Sequence, residues 1–288
     1  MPDASPQSPD ATSFEDWAGE MGARWLASLA SFETTIAPAG DALLAHAAYA
    51  PGERVLDIGF GGGATSLAIA RTVAPGGEVF GIDISPDLVA ATTRRAAAAG
   101  IVNARFLCAD AAKVTVTDAP YDRLCSRFGS MFFADPTGAF ANLRNALAPG
   151  GRVDLAVWAP PQDNAWMAAS VALTRRHIDL PASVPGAPGP FAFDDPAYLR
   201  SILEQAGFHD IGFVAVAGQL PVGGPGGTPE SALTFARNAL STGRILLDHP
   251  DSVQQAVAAD LLDLYSQHYR PGEGVMMGYS VWLVSALA

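Results

Sequence analysis

The stretch Val55-Leu56-Asp57-Ile58-Gly59-Phe60-Gly61-Gly62-Gly63-Ala64-Thr65 decides how this chain is read. An apolar, β-branched run reaches an aspartate, breaks into glycines and continues as an alanine-rich helical pattern. That order predicts a strand, a tight turn and a helix start. Glycines at such a turn let the backbone approach a ligand and keep the helix close to the sheet. The free N–H groups of the helix N-terminus then face the ligand. A nucleotide-like ligand is expected here, and the flanking residues bear on which one.

Gly59, Gly61 and Ala64 satisfy the dinucleotide pattern G-x-G-x-x-G/A, a weak signal taken alone. Asp57 stands two residues before the first glycine, where a carboxylate would repel a diphosphate. It suits a ligand carrying an ammonium group, such as the methionine end of S-adenosylmethionine. The next strand, Glu78-Val79-Phe80-Gly81-Ile82-Asp83, ends in a second acid, 24 positions after Gly59. That is near the spacing at which an acid hydrogen-bonds ribose hydroxyls, and both cofactor classes want it. A third strand, 104–111, carries Asp110, an acceptor for the adenine amine, and Ala111, whose N–H faces the ring. Three acids at three strand ends, one of them before the glycines, favour the sulfonium cofactor.

The runs VLDIGFGGGATSLAIA, VFGIDISPDLV, FLCADA and YDRLCSRFGSMFFADPTGAFANLRNALAPGGRVDLAVW together resemble the class I S-adenosylmethionine-dependent methyltransferases. The likeness is to the small-molecule branch that holds the ubiquinone and menaquinone C-methyltransferases. FDDPAYLRSILEQAGFHDIGF resembles the group's penultimate helix and strand. The likeness covers about 53–158 and 191–216 and is largely absent from about 218 to 278. It implies S-adenosylmethionine as cofactor and a seventh, antiparallel strand at the end of the sheet. It also implies a backbone carbonyl offered to the cofactor amine at Ser126, with Arg127, Met131 and Phe132 in the loop that follows. Phe60 departs from the family, where cysteine or alanine is common, and a ring there is expected to narrow the cofactor's surroundings.

With 288 residues, of which 49% are hydrophobic, the chain can bury a large core as one domain or one domain with a lobe. A formal charge of −12 argues against a nucleic-acid partner and against an anionic membrane surface. Cys108 and Cys125 fall in predicted buried strands and read as structural thiols. There is no disulfide framework or metal-ligand spacing. The acidic, proline-rich start lacks the basic and apolar regions of a signal peptide, and no apolar run is long enough to span a bilayer. A cytoplasmic setting without membrane insertion is expected.

Residues 1–13 read as a disordered tail. Phe14, Trp17, Met21, Trp25 and Leu29 recur at helical spacing, and a second helix is expected over about 38–49, so 14–50 form N-terminal helices. Strands near 54–58, 79–83, 104–108, 121–126 and 152–158 then alternate with helices near 64–73, 86–99 and 136–147. This predicts an α/β fold: a doubly wound, mostly parallel seven-stranded sheet, with ligands beyond the strands' carboxyl ends. The cofactor-binding core covers 51–218 and 273–288, with 159–194 an irregular, proline-rich substrate-side segment. A helix over about 167–177 sits inside that segment. A strand over about 210–217 and a glycine-rich joint follow. Residues 219–272 read as a helical insertion before the last strand, about 279–287, acting as a lid.

Methyl transfer from a sulfonium asks the protein mainly for positioning and water exclusion. Gly59, Gly61 and Gly63 shape the turn under the methionine portion, and Asp57 bears on its amino group. Asp83 and Ile84 hold the ribose and one adenine face; Asp110 and Ala111 hold the adenine edge. Ser126, Arg127 and Phe132 complete the cofactor set. Trp25, Met131, Trp158 and Tyr269 are candidates for an apolar or aromatic acceptor pocket, although core packing explains buried rings equally well. His177 and His268 are candidate bases if the acceptor must lose a proton, set against the commoner surface histidine. Asp135 either orients an acceptor or caps the helix beginning at Pro136. The expected activity is methyl transfer to a small, apolar or aromatic molecule. The alternatives are a nicotinamide-dependent oxidoreductase on a related scaffold and a cofactor-binding protein without activity.

Overall fold

In a computed structural model the described residues are 17–182 and 184–288; the expected tail at 1–13 and Phe14 lie outside them. Three helices open the fold: α1 (Glu20–Ala27), α2 (Leu29–Thr35) and α3 (Ala37–Ala47). The single first helix expected from the aromatic spacing is two, parted at Ser28. α3 stops when Ala48 turns left-handed at φ 50, just before Pro51.

The quoted stretch forms β1 (Arg54–Ile58), the glycine turn and α4 (Ala64–Val73). Next come β2 (Glu78–Asp83), α5 (Pro86–Ala98), β3 (Ala104–Cys108), β4 (Tyr121–Arg127) and a 3-10 turn (Gly129–Phe132). α6 (Pro136–Arg144) and β5 (Leu147–Trp158) follow. The second half holds α7 (Ala165–Thr174), α8 (Pro196–Gln205) and β6 (His209–Val222). It continues through α9 (Pro229–Ala239), α10 (Ser241–Leu246), α11 (Asp251–His268), β7 (Tyr269–Arg270) and β8 (Gly274–Leu287).

The sheet runs β3-β2-β1-β4-β5-β8-β6, with the two-residue β7 hydrogen-bonded to β8. β1 to β5 are parallel, and β8 is antiparallel to both β5 and β6. The expected sheet is therefore present, with one short strand added. β6 and β8 are much longer than expected because their pairing carries on past the end of β5, from Ala217↔Ser280 to Val222↔Val275.

β1 is central and lined by fully buried Val55, Leu56 and Ile58. β3 is an edge, which corrects the reading of Cys108: the thiol is exposed, whereas Cys125 in β4 is buried. Phe60, which follows the first glycine of the turn, packs against the sheet. Its ring is buried, 4.8 Å from that of Phe106, and lies over Gly81, where a Cβ would come within 2.7 Å of either ring.

α6 shows how a local signal is resolved. Asp135 Oδ1 accepts the Gly138 N–H at 3.0 Å, with Pro136 in the first turn, so Asp135 is a helix cap. Asp135→Ala is expected to cost about 1 kcal/mol in thermal denaturation and to leave cofactor affinity unchanged.

Candidate active site

The glycine turn is built by close backbone approach. Gly59, Gly61 and Gly63 have φ of 64°, 58° and 80°, where side chains are rarely tolerated. A Cβ on Gly59 would lie 2.7 Å from the Cα of Gly129, so the turn after β1 and the turn after β4 touch backbone to backbone. Ser126 ties the same two turns. Its Oγ donates to the Ile58 carbonyl at 2.8 Å and accepts the Ser130 N–H at 3.1 Å.

Asp83 reaches across from β2. One carboxylate oxygen accepts the Gly61 N–H at 2.8 Å and the other accepts the Ser85 N–H at 2.9 Å. Burial raises its pKa, and the N–H groups of Ser85, Gly61 and Ile84 oppose that shift. Ile84 beside it is 43% exposed, an apolar face at the mouth of the site. Asp110 pairs with Lys113 at 2.9 Å and accepts the Ala112 N–H at 3.0 Å, and Ala111 is buried next to it.

Asp57 is fully buried and accepts a hydrogen bond from Ser66 in α4. Burial pushes its pKa up to about 6, with Asp83 adding to the rise and Ser66 and Arg127 opposing it. Ionised Asp57 therefore costs the fold about 3 kcal/mol, since each pKa unit is about 1.4 kcal/mol. The folded pKa lies above the unfolded one, so this contribution favours the fold at low pH and is lost as pH rises from about 3.8 to about 6. A cation beside Asp57 offsets the cost.

The N-terminal helices close over this turn. Trp25 packs on Phe32 with ring centroids 3.7 Å apart, and its Nε1 would lie 3.6 Å from a Cβ at Gly61. Trp17 meets Trp25 and Phe132 edge-on, at 5.4 and 5.0 Å. Arg95 of α5 pairs with Glu33 of α2 at 2.8 Å and donates to the Gly62 carbonyl.

Ten buried side-chain polar atoms among the described residues lack a hydrogen-bond partner, and four of them surround the glycine turn: Trp17 Nε1, Trp25 Nε1, Thr65 Oγ1 and Ser130 Oγ. Buried polar groups left unpaired are costly. Together with Asp57, they make a site that fits a polar ligand bearing positive charge.

The other expected residues separate into two groups. Phe132 joins the aromatic cluster at the turn. Met131 is buried, and its carbonyl accepts the Gly189 N–H at 3.1 Å. Trp158 is buried too, stacked on Phe128 at 4.0 Å and edge-on to Trp166 at 5.4 Å, so its ring is core as much as pocket. Tyr269, His177 and His268 are not brought to the turn. Tyr269 is 38% exposed, because α11 ends at His268 and the chain turns outward into the β7–β8 hairpin. His177 bonds Asp260 of α11 at 2.9 Å, and His268 is exposed on the last turn of that helix. Ser66, Gly129 and Ser85 were missed. Each acts through a partner distant in sequence or through its backbone, and only a glycine directly after the fourth strand could have pointed to one of them.

A methyltransferase-domain family model matches residues 55–151, which hold all but the first residue of β1, the strands β2 to β4, and Asp57, Asp83 and Asp110. A demethylmenaquinone methyltransferase of Thermus thermophilus is 33% identical over 165 residues, covering 54% of this chain and 74% of that one. The chain belongs to the S-adenosylmethionine-dependent methyltransferases. A ubiquinone/menaquinone biosynthesis C-methyltransferase of Burkholderia mallei is 34% identical over 121 residues, 41% of this chain and 49% of the other. The chain thus spans three quarters of one curated relative and half of another. Among solved structures, a Haemonchus contortus phosphoethanolamine N-methyltransferase 2 in complex with S-adenosyl-L-methionine shares the fold. It has a TM-score of 0.57 at 16% identity, covering 96% of this chain and 60% of that one. The methyltransferase takes S-adenosylmethionine as its cofactor, and the nicotinamide alternative falls away.

Proposed function

We propose that this methyltransferase holds S-adenosylmethionine over the glycine turn and transfers its methyl group to a small, apolar or aromatic acceptor. The observation that carries the reading is buried Asp57, its pKa raised to about 6 at the end of β1, beside a turn ringed by unpaired polar atoms. In this reading Asp57 bears on the ammonium group. Asp83 and Ile84 hold the ribose and one adenine face, and Asp110 and Ala111 the adenine edge. Bound there, the cofactor supplies an electrophilic methyl on a sulfonium. The chain's own part is to position the acceptor and exclude water.

The helices α9 to α11, between the long strands β6 and β8, are read as a lid. Arg24 of α1 donates to the Arg237 and Asn238 carbonyls at 3.3 and 3.2 Å, tying the N-terminal helices to the end of α9. Phe235 of α9 adds its ring 5.6 Å from Phe32. Two free thiols, one of them exposed, support a reducing, cytoplasmic setting. No helix among the described residues is long and apolar enough to cross a membrane.

Two experiments test this. Transfer of labelled methyl from S-adenosylmethionine to a panel of phenols, quinols and amines is expected to favour flat aromatic acceptors; turnover of amines alone would contradict the acceptor class. The second reads Asp57. Affinity for S-adenosylhomocysteine, which keeps the ammonium group, is expected to rise with pH up to about 6 and then level off, by up to about tenfold per unit. The Asp57→Asn variant is expected to lose that dependence. A flat wild-type profile between about pH 5 and 7 would show that Asp57 does not meet the cation.

A further inference from the structure

Arg127 closes β4 at the carboxyl end of the sheet, and its guanidinium makes no hydrogen bond or ion pair with any described residue. It is half-buried. Burial pushes its pKa down, against the opposing charges of Glu33, Asp57, Cys125 and Asp41. Two of these acids are engaged elsewhere: Glu33 with Arg95 at 2.8 Å, and Asp57 with Ser66. Asp41 is exposed. A guanidinium carries five N–H donors in a planar fork, and a sheltered one without partners is costly. α3 places Gly40 against the guanidinium, where a Cβ would lie 2.7 Å from Arg127 Nη1, so the fork fits beside the helix only because this residue is glycine.

Strand register shows what shares this face. Asp57 pairs with Cys125, two residues before Arg127; Arg127 pairs with Ala156, two before Trp158; Trp158 pairs with Val281, two after Tyr279. With a period of two, Asp57, Arg127, Trp158 and Tyr279 project to the same side of the sheet. Tyr279 lies beyond the end of β5, on the ligand side. Its ring is buried, and its hydroxyl makes no hydrogen bond among the described residues. Burial and the charge of Asp41 push its pKa up, so it stays protonated and remains a donor. Trp158, on the strand between β4 and β8, stacks on Phe128 with ring centroids 4.0 Å apart and makes this face aromatic.

We propose that Arg127, with Tyr279 on the same face, is the receptor for an anionic oxygen of the methyl acceptor, which is an acidic phenol or enol bound as its oxyanion. The proposal rests on the methyltransferase reading and names the substrate class within it. Two unpaired donors on this aromatic face match a flat ring bearing one anionic oxygen. Where that oxygen also takes the methyl, binding in this form removes the need for a base: the acceptor's proton passes to solvent as it binds, the O–CH3 bond forms as the S–CH3 bond breaks, and the cofactor leaves as a neutral thioether; neither candidate histidine stands at the turn. The same oxyanion chemistry has a second source in the cofactor's own carboxylate, and the test separates the two.

The experiment is a spectrophotometric pH titration of para-nitrophenol, whose anion absorbs in the visible, bound to wild-type protein saturated with S-adenosylhomocysteine. The expected result is an apparent pKa lowered by about one unit or more, a tenfold shift toward the anion. Arg127→Gln is expected to abolish the shift while the protein can still be saturated with S-adenosylhomocysteine, with Tyr279→Phe giving a smaller shift than wild type. If Arg127→Gln fails to fold, Arg127→Lys replaces it; it keeps the charge but loses the fork, and is expected to shift less than wild type. No saturable binding of para-nitrophenol up to millimolar concentrations, an unshifted pKa, or a lysine variant equal to wild type overturns the proposal. So does an Arg127→Gln protein that loses S-adenosylhomocysteine but still ionises para-nitrophenol, which would assign the guanidinium to the cofactor's carboxylate. Failure of wild-type protein to bind S-adenosylhomocysteine would instead overturn the cofactor site.

Discussion

Replacing Asp83 with alanine is expected to weaken S-adenosylhomocysteine binding by about 10- to 100-fold and to lower the melting temperature as well. The first effect follows from the loss of an acceptor for the ribose hydroxyls; hydrogen bonds to a charged group contribute about 1.5–3 kcal/mol, and each 1.4 kcal/mol is tenfold. The second follows from the geometry. Asp83 already accepts the Gly61 N–H at 2.8 Å and the Ser85 N–H at 2.9 Å, so it holds the turn in shape before any ligand arrives. Removing it leaves two backbone donors to find water in a buried place. From sequence alone one would expect a binding defect with the fold intact; the hydrogen bonds add a stability defect. Asp83→Asn, which keeps one acceptor oxygen, is expected to recover part of the stability and less of the affinity. Calorimetric binding and thermal denaturation on the same preparations check this. Wild-type affinity in Asp83→Ala would mean the ribose lies elsewhere.

Gly59→Ala is expected to destabilise the fold and the cofactor turn together. The residue has φ 64, and the new Cβ would lie 2.7 Å from the Cα of Gly129. A left-handed alanine costs about 1 kcal/mol, and overpacking against rigid backbone adds about 1–3 kcal/mol. The sum is about 2–4 kcal/mol, a fall of about 5–10 °C in melting temperature. Because Gly129 cannot move without dragging Ser126 and its bond to Ile58, the turn opens and cofactor affinity falls as well. Gly129→Ala, with φ in the ordinary range, would set its Cβ 2.7 Å from Gly59 Cα and 2.8 Å from the Ile58 carbonyl. It is expected to give a similar loss from the other side. If Gly59→Ala melted within about 1 °C of wild type, the two turns would not be in backbone contact.

Much of this was legible before the fold was seen. β1, the glycine turn and α4 follow from a change of period at Asp57, from two to 3.6. The three acids could be placed at strand ends because apolar runs of five or six residues leave little choice of boundary. Asp135 could be weighed as a cap because caps are local. What could not be read is what depends on distant partners. Cys108 sits in an apolar run but on an edge strand, and edge position is a property of strand order. Tyr269 looks like a pocket residue until the β7–β8 hairpin turns it outward. The packing of the Phe60 ring over Gly81 likewise depends on the neighbouring strand. The contact of Gly40 with the Arg127 guanidinium joins residues 87 positions apart, which no local pattern marks. Tyr279 aligns with Asp57 only after three strand registers are known.

The central claim is that the glycine turn and its three acids hold a sulfonium nucleoside. It is tested most directly by calorimetric titration of the purified protein with S-adenosylmethionine, S-adenosylhomocysteine and NADH. The account predicts one-to-one binding of the first two and none of the third. Binding of NADH without the other two would contradict it, because buried Asp57 would then stand beside a diphosphate instead of an ammonium group.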